Sequence, residues 1–117
     1  MDSVTLAKKW VEAFNSKNLD ALLALYTEDC EHTSPKLRER HPESRGRILG
    51  KAALHAWWDD AFRRLPGLQY ELTSITASAD RVFIEYLRHT PTDPPMPIAE
   101  VFDVRDGRIR ASRVYHG

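Results

Sequence analysis

Three segments of the chain carry apolar residues at the three- and four-residue spacing of an amphipathic helix. The first is expected to start with Ser3 as its cap and to end in the polar cluster 15–18. The second runs from 19 to about 26 with Asn18 as its cap, and the link between these two helices is so short that they should pack as a hairpin. The third spans 51–65 and ends at Pro66-Gly67.

The rest of the chain has the composition of strands and loops. A short strand is expected in CEHTSP, cut off by Pro35, and the charged segment 36–50 is expected to be a loop at a rim. Four longer strands are predicted at 68–77, 81–90, 97–105 and 108–116, with a hairpin turn at Asp106-Gly107. This order predicts an α+β domain in which three helices pack on a curved antiparallel sheet and leave a cone-shaped pocket.

Length and charge narrow the classes of protein. The 117 residues form one domain, 1–117, and the 17 basic and 17 acidic residues balance. This balance argues against a nucleic-acid partner and a polybasic membrane anchor. No apolar run approaches the roughly 20 residues of a membrane span, and no signal peptide is recognisable. With Cys30 as the single cysteine, we expect a soluble, cytoplasmic protein without an internal disulfide.

Three stretches carry a family resemblance: VEAFNSKNLDALLALYTEDCEHTSP, GKAALHAWW and EVFDVRDGRI. In this order they resemble the nuclear transport factor 2-like superfamily, and within it the SnoaL-like and ketosteroid-isomerase-like bacterial proteins. The resemblance covers essentially the whole chain and implies the cone fold, a small-molecule ligand and a homodimer formed through the outer face of the sheet. Val101, Ile109 and Tyr115 are the residues expected on that face. The superfamily includes isomerases, cyclases, hydrolases and non-catalytic binders, so fold alone does not choose a reaction.

The resemblance to ketosteroid isomerase is partial at the site. The isomerase uses an aspartate base opposed by a tyrosine and a protonated aspartic acid. Carried over to this sequence, the tyrosine falls on Trp10, the base on Ser34 and the protonated acid on Glu100. Because one position of three keeps its chemistry, steroid isomerisation by that mechanism is disfavoured.

Glu100 is the first catalytic candidate because it lies within an apolar strand. A carboxyl group there must be solvated, paired or held protonated. The functional interpretation is a buried acid, and the alternative is a salt bridge with Arg88 or Arg113. His32 is the second candidate: it alternates with Ser34, so its imidazole is expected on the cavity side, either as a base or as an ordinary hydrogen-bonding residue.

His116 is the third catalytic candidate, and its orientation depends on the register of the last hairpin. A two-residue loop places Glu100 opposite Arg113, whereas a three-residue loop places it opposite Ser112 and turns His116 toward the same face. The family resemblance favours the second register. In the alternative interpretation His116 is simply a frayed terminal residue.

Other residues are expected around the pocket. In the segment 81–90 periodicity leaves the inward face open, and the resemblance favours the face of Glu85 and His89. The remaining expected pocket residues are Trp10, Tyr26, Ser34, Trp57, Trp58, Phe102 and Ser112, the aromatic ones serving first as core. A basic loop is expected either to attract an anionic substrate or to be merely solvated; it comprises Arg38, Arg40, His41, Arg45 and Arg47.

The sequence contains no GxGxxG, GxxxxGK[ST], HExxH or GxSxG motif. Histidines 32, 89 and 116 have no metal-ligand spacing, so we expect no metal and no cofactor. The sequence therefore predicts a cofactor-independent acid–base enzyme of the isomerase, cyclase or lyase type, acting on a small oxygenated substrate. Two alternatives stay open: a non-catalytic ligand binder or dimeric scaffold, and an epoxide-hydrolase-like enzyme that would use Glu85, Arg88 and Glu100.

Overall fold

Helices and strands alternate in the first half of the chain, and strands alone fill the second half. The computed structural model describes residues 2–117, and Met1 lies outside the described residues. The elements are α1 Ser3–Asn15, α2 Leu19–Ala24, β1 Tyr26–Thr33, α3 Pro35–Arg40, a 3-10 turn Pro42–Ser44, β2 Arg47–Leu49, α4 Lys51–Arg64, β3 Gln69–Ala77, β4 Arg81–His89, β5 Met96–Arg105 and β6 Arg108–His116.

The strands form one curved, unclosed sheet in the order β2-β1-β6-β5-β4-β3. Neighbouring strands are antiparallel except β1 and β6, which are parallel. The helix α1 packs on β3 and β4, and α4 packs on β1 and β2. The helices therefore cover the inner face of the sheet at both ends, which confirms the predicted α+β architecture.

The helix caps differ in part from the prediction. Asp2, rather than Ser3, caps α1, because its carboxylate accepts a hydrogen bond from the Thr5 amide at 2.8 Å. The Ser3 side chain is buried instead. The Asn18 cap of α2 is confirmed by its bond from the Ala21 amide at 3.1 Å. The helix α2 ends at Ala24, since Tyr26 already begins β1.

The segment 36–50 is not simply a loop. Ser34 accepts a hydrogen bond from the Leu37 amide, and Pro35 occupies the first helical turn, so the short helix α3 forms there. Leu37 anchors this helix because its side chain is buried. Later in the segment, β2 pairs with β1. Within residues 2–117 the fold thus has four α-helices where the sequence predicts three.

The last hairpin combines features of both predicted registers. Asp106 and Gly107 have φ of 53° and 75°, and Arg105 pairs with Arg108 across a two-residue loop. A bulge beyond the turn then shifts the pairing by one residue, so that Glu100 lies opposite Val114. Neither expected partner of Glu100 is correct, yet the face expected from the three-residue loop is the one observed.

Candidate functional site

A cavity of about 370 Å³ lies between the inner face of the sheet and the helices. Aromatic side chains from α1, α4 and the sheet form part of its walls, and several cationic side chains line it as well. Glu100 lies among the sheet residues that line it. The lining residues are Trp10, Phe14, His32, Ser34, Lys36, Glu39, Arg40, Trp57, Trp58, Ala61, Arg64, Leu65, Leu68, Tyr70, Tyr86, Arg88, Ile98, Glu100, Val114 and His116.

Glu100 is a buried acid with one free oxygen. Its side chain is 1% exposed, and the Tyr86 hydroxyl donates to its Oε1 at 2.8 Å. Its Oε2 is the one buried side-chain polar atom of residues 2–117 that has no hydrogen-bond partner. Burial raises the pKa of Glu100 to about 8, and the Tyr86 bond offsets only part of this effect. Glu100 is therefore mostly protonated at neutral pH, and it is among the residues that line the cavity.

No arginine neutralises Glu100 in the part of the chain that the structure describes. Arg113 instead donates to Asp103 at 2.7 Å on the outer face of the sheet. Arg88 lines the cavity without a salt bridge to Glu100. The salt-bridge interpretation of Glu100 is therefore wrong.

His32 is also buried, at 3% exposure, and its Nδ1 lies 2.6 Å from the Ser112 hydroxyl oxygen. Burial lowers the pKa of His32 to about 4, so its imidazole is neutral at neutral pH. The strands of His32 and Glu100 are separated by β6, which corresponds to two strand spacings of about 4.8 Å each. The structure thus places an acid and a neutral imidazole at separate points in the lining of one cavity.

His116 lies at the open end of the cavity. The bulge in the last hairpin turns it toward the inner face, opposite Ile98. Its side chain is exposed, and partial desolvation followed by the positive charges of Lys36 and Arg88 lowers its pKa. His116 is therefore a neutral group at the cavity mouth, apart from the buried pair Glu100 and His32.

The expected aromatic residues divide into cavity wall and core. All three tryptophans line the cavity, and the Trp10 indole donates to the Tyr26 hydroxyl at 3.0 Å. Tyr26, Phe102 and Ser112 are fully buried behind the lining residues. Ser34 lines the cavity where α3 begins.

The expected inward face of β4 is wrong. Glu85 is exposed and His89 bonds to Glu71 at 2.9 Å, so both side chains lie outside the cavity. The inner face carries Tyr86, which the sequence analysis missed as a site residue, and Arg88, which it considered only as a partner of Glu100 or in the epoxide-hydrolase-like set. A usable signal was present: the alternate positions Val82, Ile84 and Tyr86 are more uniformly apolar than a face that includes a glutamate.

This correction also affects the alternatives. Because Glu85 lies outside the cavity, Glu85, Arg88 and Glu100 do not come together at one site. The epoxide-hydrolase-like interpretation, which requires these three residues, is therefore not supported. His89 is likewise separated from His32 and His116 by the sheet. The described part of the chain contains no group of three or more histidine, cysteine, aspartate or glutamate side chains arranged for a metal ion.

Only one member of the expected basic loop reaches the cavity. Arg40 is among the lining residues, and its guanidinium lies 3.8 Å from Asp60. The other four members lie outside the lining, and Arg47 pairs with Glu31 at 2.7 Å. The cationic lining comes mainly from Lys36, Arg64 and Arg88.

No helix in residues 2–117 is both long and apolar enough to cross a membrane.

Comparison with known proteins agrees with this geometry. The sequence profile of the SnoaL-like domain matches residues 7–112. A SnoaL-like protein of unknown function from Burkholderia thailandensis is 28% identical, with a TM-score of 0.85 over 98% of this chain and 94% of that chain. A candidate polyketide cyclase from Sinorhizobium meliloti is 18% identical, with a TM-score of 0.80 over 95% and 94% of the two chains.

A third similar structure, a candidate ketosteroid isomerase from Kribbella flavida, is 19% identical, with a TM-score of 0.78 over 97% of this chain and 76% of that chain. The last two likenesses are below 25% identity and support the fold alone. No curated protein matches the chain. The profile match covers most of the sequence, and the chain therefore belongs to the SnoaL-like family of the nuclear transport factor 2-like superfamily.

Proposed function

We propose that the protein is a cofactor-independent acid–base enzyme of the isomerase, cyclase or lyase type, acting on a small oxygenated substrate. One observation carries the proposal: a fully buried carboxyl group with no cationic partner and one oxygen without a hydrogen bond lines the same cavity as a buried imidazole. Burial raises the pKa of the carboxyl group to about 8 and lowers that of the imidazole to about 4. Perturbed acids and bases of this kind cluster at functional sites.

Glu100 supplies the acid. Its Oε1 is held by the Tyr86 hydroxyl, which leaves the protonated Oε2 to donate a hydrogen bond to a carbonyl oxygen of the substrate. This bond strengthens as negative charge develops on that oxygen during removal of a neighbouring proton. A charged carboxylate would repel the same oxygen, so the raised pKa is essential to the step.

His32 supplies the base. When its Nδ1–H donates to the Ser112 hydroxyl, its Nε2 is free to take a proton from the carbon next to the substrate carbonyl. A conjugate acid with a pKa of about 4 keeps this nitrogen unprotonated at neutral pH. Its basicity then lies in the range of the aspartate base of ketosteroid isomerase. Return of the proton to another carbon completes an isomerisation.

Proton exchange into small ketones tests this proposal without a known substrate. In D₂O the wild type is expected to incorporate deuterium next to the carbonyl of at least one aromatic ketone in a panel, detected by mass spectrometry. Glu100→Gln and His32→Gln are each expected to slow this exchange by roughly 10²–10⁴-fold, the usual contribution of one positioned acid or base. Glu85→Gln, on the outer face, is the matched control and should exchange at the wild-type rate.

Two results would contradict the proposal. One is wild-type exchange no faster than in buffer across the panel, particularly if a ketone binds in the cavity; this outcome supports the non-catalytic binder instead. The other is exchange that is unaffected in both Glu100→Gln and His32→Gln. Circular dichroism of each variant separates loss of activity from loss of fold.

We further infer that the outer face of the sheet pairs two copies of the chain. Phe83 and Tyr115 are large apolar residues that remain 39% and 54% exposed, and Val101 lies between their strands on the same face. Ile109, also expected on this face, is fully buried on the inner side and takes no part. Sedimentation should show a dimer that Tyr115→Lys weakens, and a monomeric wild type contradicts the inference.

The bacterial, cytoplasmic setting stays a prediction.

A further inference from the structure

We propose that the cavity mouth contains an anion subsite, formed by Arg88 and Lys36 with His116 beside them, which binds a carboxylate group of the ligand while a carbonyl oxygen of the same ligand reaches Glu100. The inference deepens the proposed function by naming a substrate class, namely small oxo acids. It rests on the same cavity, but its test does not depend on catalysis.

The strand register places this subsite at a defined distance from the acid. Arg88 follows Tyr86, the hydrogen-bond partner of Glu100, by two residues along the inner face of β4. His116 follows Val114, the residue opposite Glu100, by two residues along β6. Ile84 is the residue opposite Glu100 on β4, so Arg88 lies two inward-facing positions, about 14 Å of strand, beyond the acid, whereas His116 lies one position, about 7 Å, beyond it.

The charge of Arg88 is left without a partner inside the protein. Arg88 is half-buried, lines the cavity and forms no salt bridge with any residue in 2–117. The other cationic groups are already engaged: Arg40 and Arg64 share Asp60 at 3.8 Å and 2.7 Å. A half-buried guanidinium favours a carboxylate because the two planar groups can form two parallel hydrogen bonds.

Lys36 adds a second, weakly held cation. Its ammonium group lies 3.7 Å from Glu39, and both side chains are largely exposed, at 43% and 68%. The acidic groups that face this part of the cavity are Glu39, at the rim, and the protonated Glu100. The positive potential at the mouth is therefore little compensated.

His116, from β6, lines the same cavity as Lys36, from α3, and Arg88, from β4. After desolvation, the positive charges of Lys36 and Arg88 contribute to lowering the pKa of His116, while Glu39 opposes them. A carboxylate bound between Lys36 and Arg88 would reverse this effect and raise the pKa of His116. The imidazole is thus a built-in reporter of anion binding.

Binding of a matched acid and amide tests the subsite. The probe is 4-benzoylbutanoate, an aryl ketone with a carboxylate, and its control is the primary amide of the same molecule. Titration followed by the fluorescence of the cavity tryptophans should show the acid binding about tenfold more tightly or better, as expected for charge-assisted hydrogen bonds. The NMR titration midpoint of His116 should rise on addition of the acid and not of the amide.

Charge-removing variants assign the preference to its residues. Arg88→Met is expected to remove most of the difference between acid and amide affinity while leaving the amide affinity unchanged. Lys36→Met, on another element, should reduce the ratio of acid to amide affinity by a smaller factor. Arg63→Met is the control, because Arg63 is exposed on α4 and pairs with Asp59 away from the cavity.

Three outcomes would overturn the subsite: equal affinity of acid and amide for the wild type, a preference for the acid that survives in the Arg88→Met/Lys36→Met double variant, or no binding of the acid at millimolar concentration. Glu100→Gln should change the affinities of acid and amide alike and leave their ratio intact. Failure of the subsite therefore appears in this ratio, and failure of the proposed acid appears in the titration of Glu100.

Discussion

Glu100→Gln is expected to be more stable than the wild type at pH 8, by up to roughly 5 kcal/mol. The folded-state pKa of about 8 lies above the usual value of 4.5. Below pH 4.5 the carboxyl is protonated in both states and carries no penalty. As pH rises from 4.5 to 8 the unfolded chain ionises while the folded protein must hold the proton, so the free energy of unfolding falls. Glutamine, a neutral isostere of the protonated acid, removes this loss.

His32 has the opposite effect on the free energy of unfolding, which it makes rise with pH in a lower pH range. Its folded-state pKa of about 4 lies below the usual 6.5, so the stability that depends on neutral His32 is complete above pH 6.5 and is lost as pH falls toward 4. Between about pH 4.5 and 6.5 the effects of Glu100 and His32 on the free energy of unfolding have opposite signs. Their combined contribution to the dependence of wild-type stability on pH is therefore nearly flat in this range. Above pH 6.5 only the Glu100 effect remains, and stability declines.

Urea unfolding across pH 4 to 8 measures both effects. For the wild type we expect a plateau followed by a decline above pH 6.5, and for Glu100→Gln a rise to pH 6.5 followed by a plateau. Glu85→Gln, a matched change on an exposed residue of the neighbouring strand, should keep the wild-type profile. Parallel profiles for wild type and Glu100→Gln, or a Glu100→Gln protein that does not fold at any pH, would show that the carboxylate has a structural role.

Trp10→Ala is expected to lower the free energy of unfolding by about 3–5 kcal/mol, the usual cost of truncating a buried aromatic residue. Trp10 is 1% exposed, and its ring centroid lies 5.4 Å from that of Phe14 and 5.2 Å from that of Phe102. Its indole also satisfies the buried Tyr26 hydroxyl, which the truncation would leave without this donor. The wall beside Glu100 therefore depends on this residue.

Trp57→Ala is the matched control for that effect. Trp57 lines the same cavity but is only half-buried, and its aromatic neighbour is the exposed His41. Guanidinium unfolding should show a clearly smaller loss of stability for Trp57→Ala than for Trp10→Ala. Equal losses would mean that Trp10 is not the centre of the aromatic packing that supports the site.

The sequence predicted the elements better than their orientation. Helical spacing located α1, α2 and α4, and the alternation of residues located β3 to β6, because burial of one face imposes these periods directly. The short helix α3 was missed although Ser34 followed by Pro35 is a helix-start signal; the charged residues after it obscured the signal. Its buried Leu37 anchors it by a tertiary contact that no local pattern reports.

The site was predictable only in part. An acid within an apolar strand identified Glu100, and alternation along the first strand identified His32. The partner Tyr86 was missed because both faces of β4 carry large apolar residues and the family resemblance was used to choose between them, although the glutamate at position 85 is a signal against that face. The partner of Glu100 across the last hairpin depends on a one-residue bulge, and a single inserted residue inverts a strand face without any signature in the local sequence.

The measurement that tests the central claim most directly is the titration of Glu100 itself, by NMR of its side-chain carboxyl carbon in protein labelled at glutamate. The resonance is assigned by its absence from the spectrum of Glu100→Gln. A midpoint near pH 8 is the predicted result, since burial without a cationic partner holds the proton on this group. A midpoint near the ordinary 4.5 would mean that Glu100 is ionised in the cavity at neutral pH, and it would contradict the acid role on which the proposed function depends.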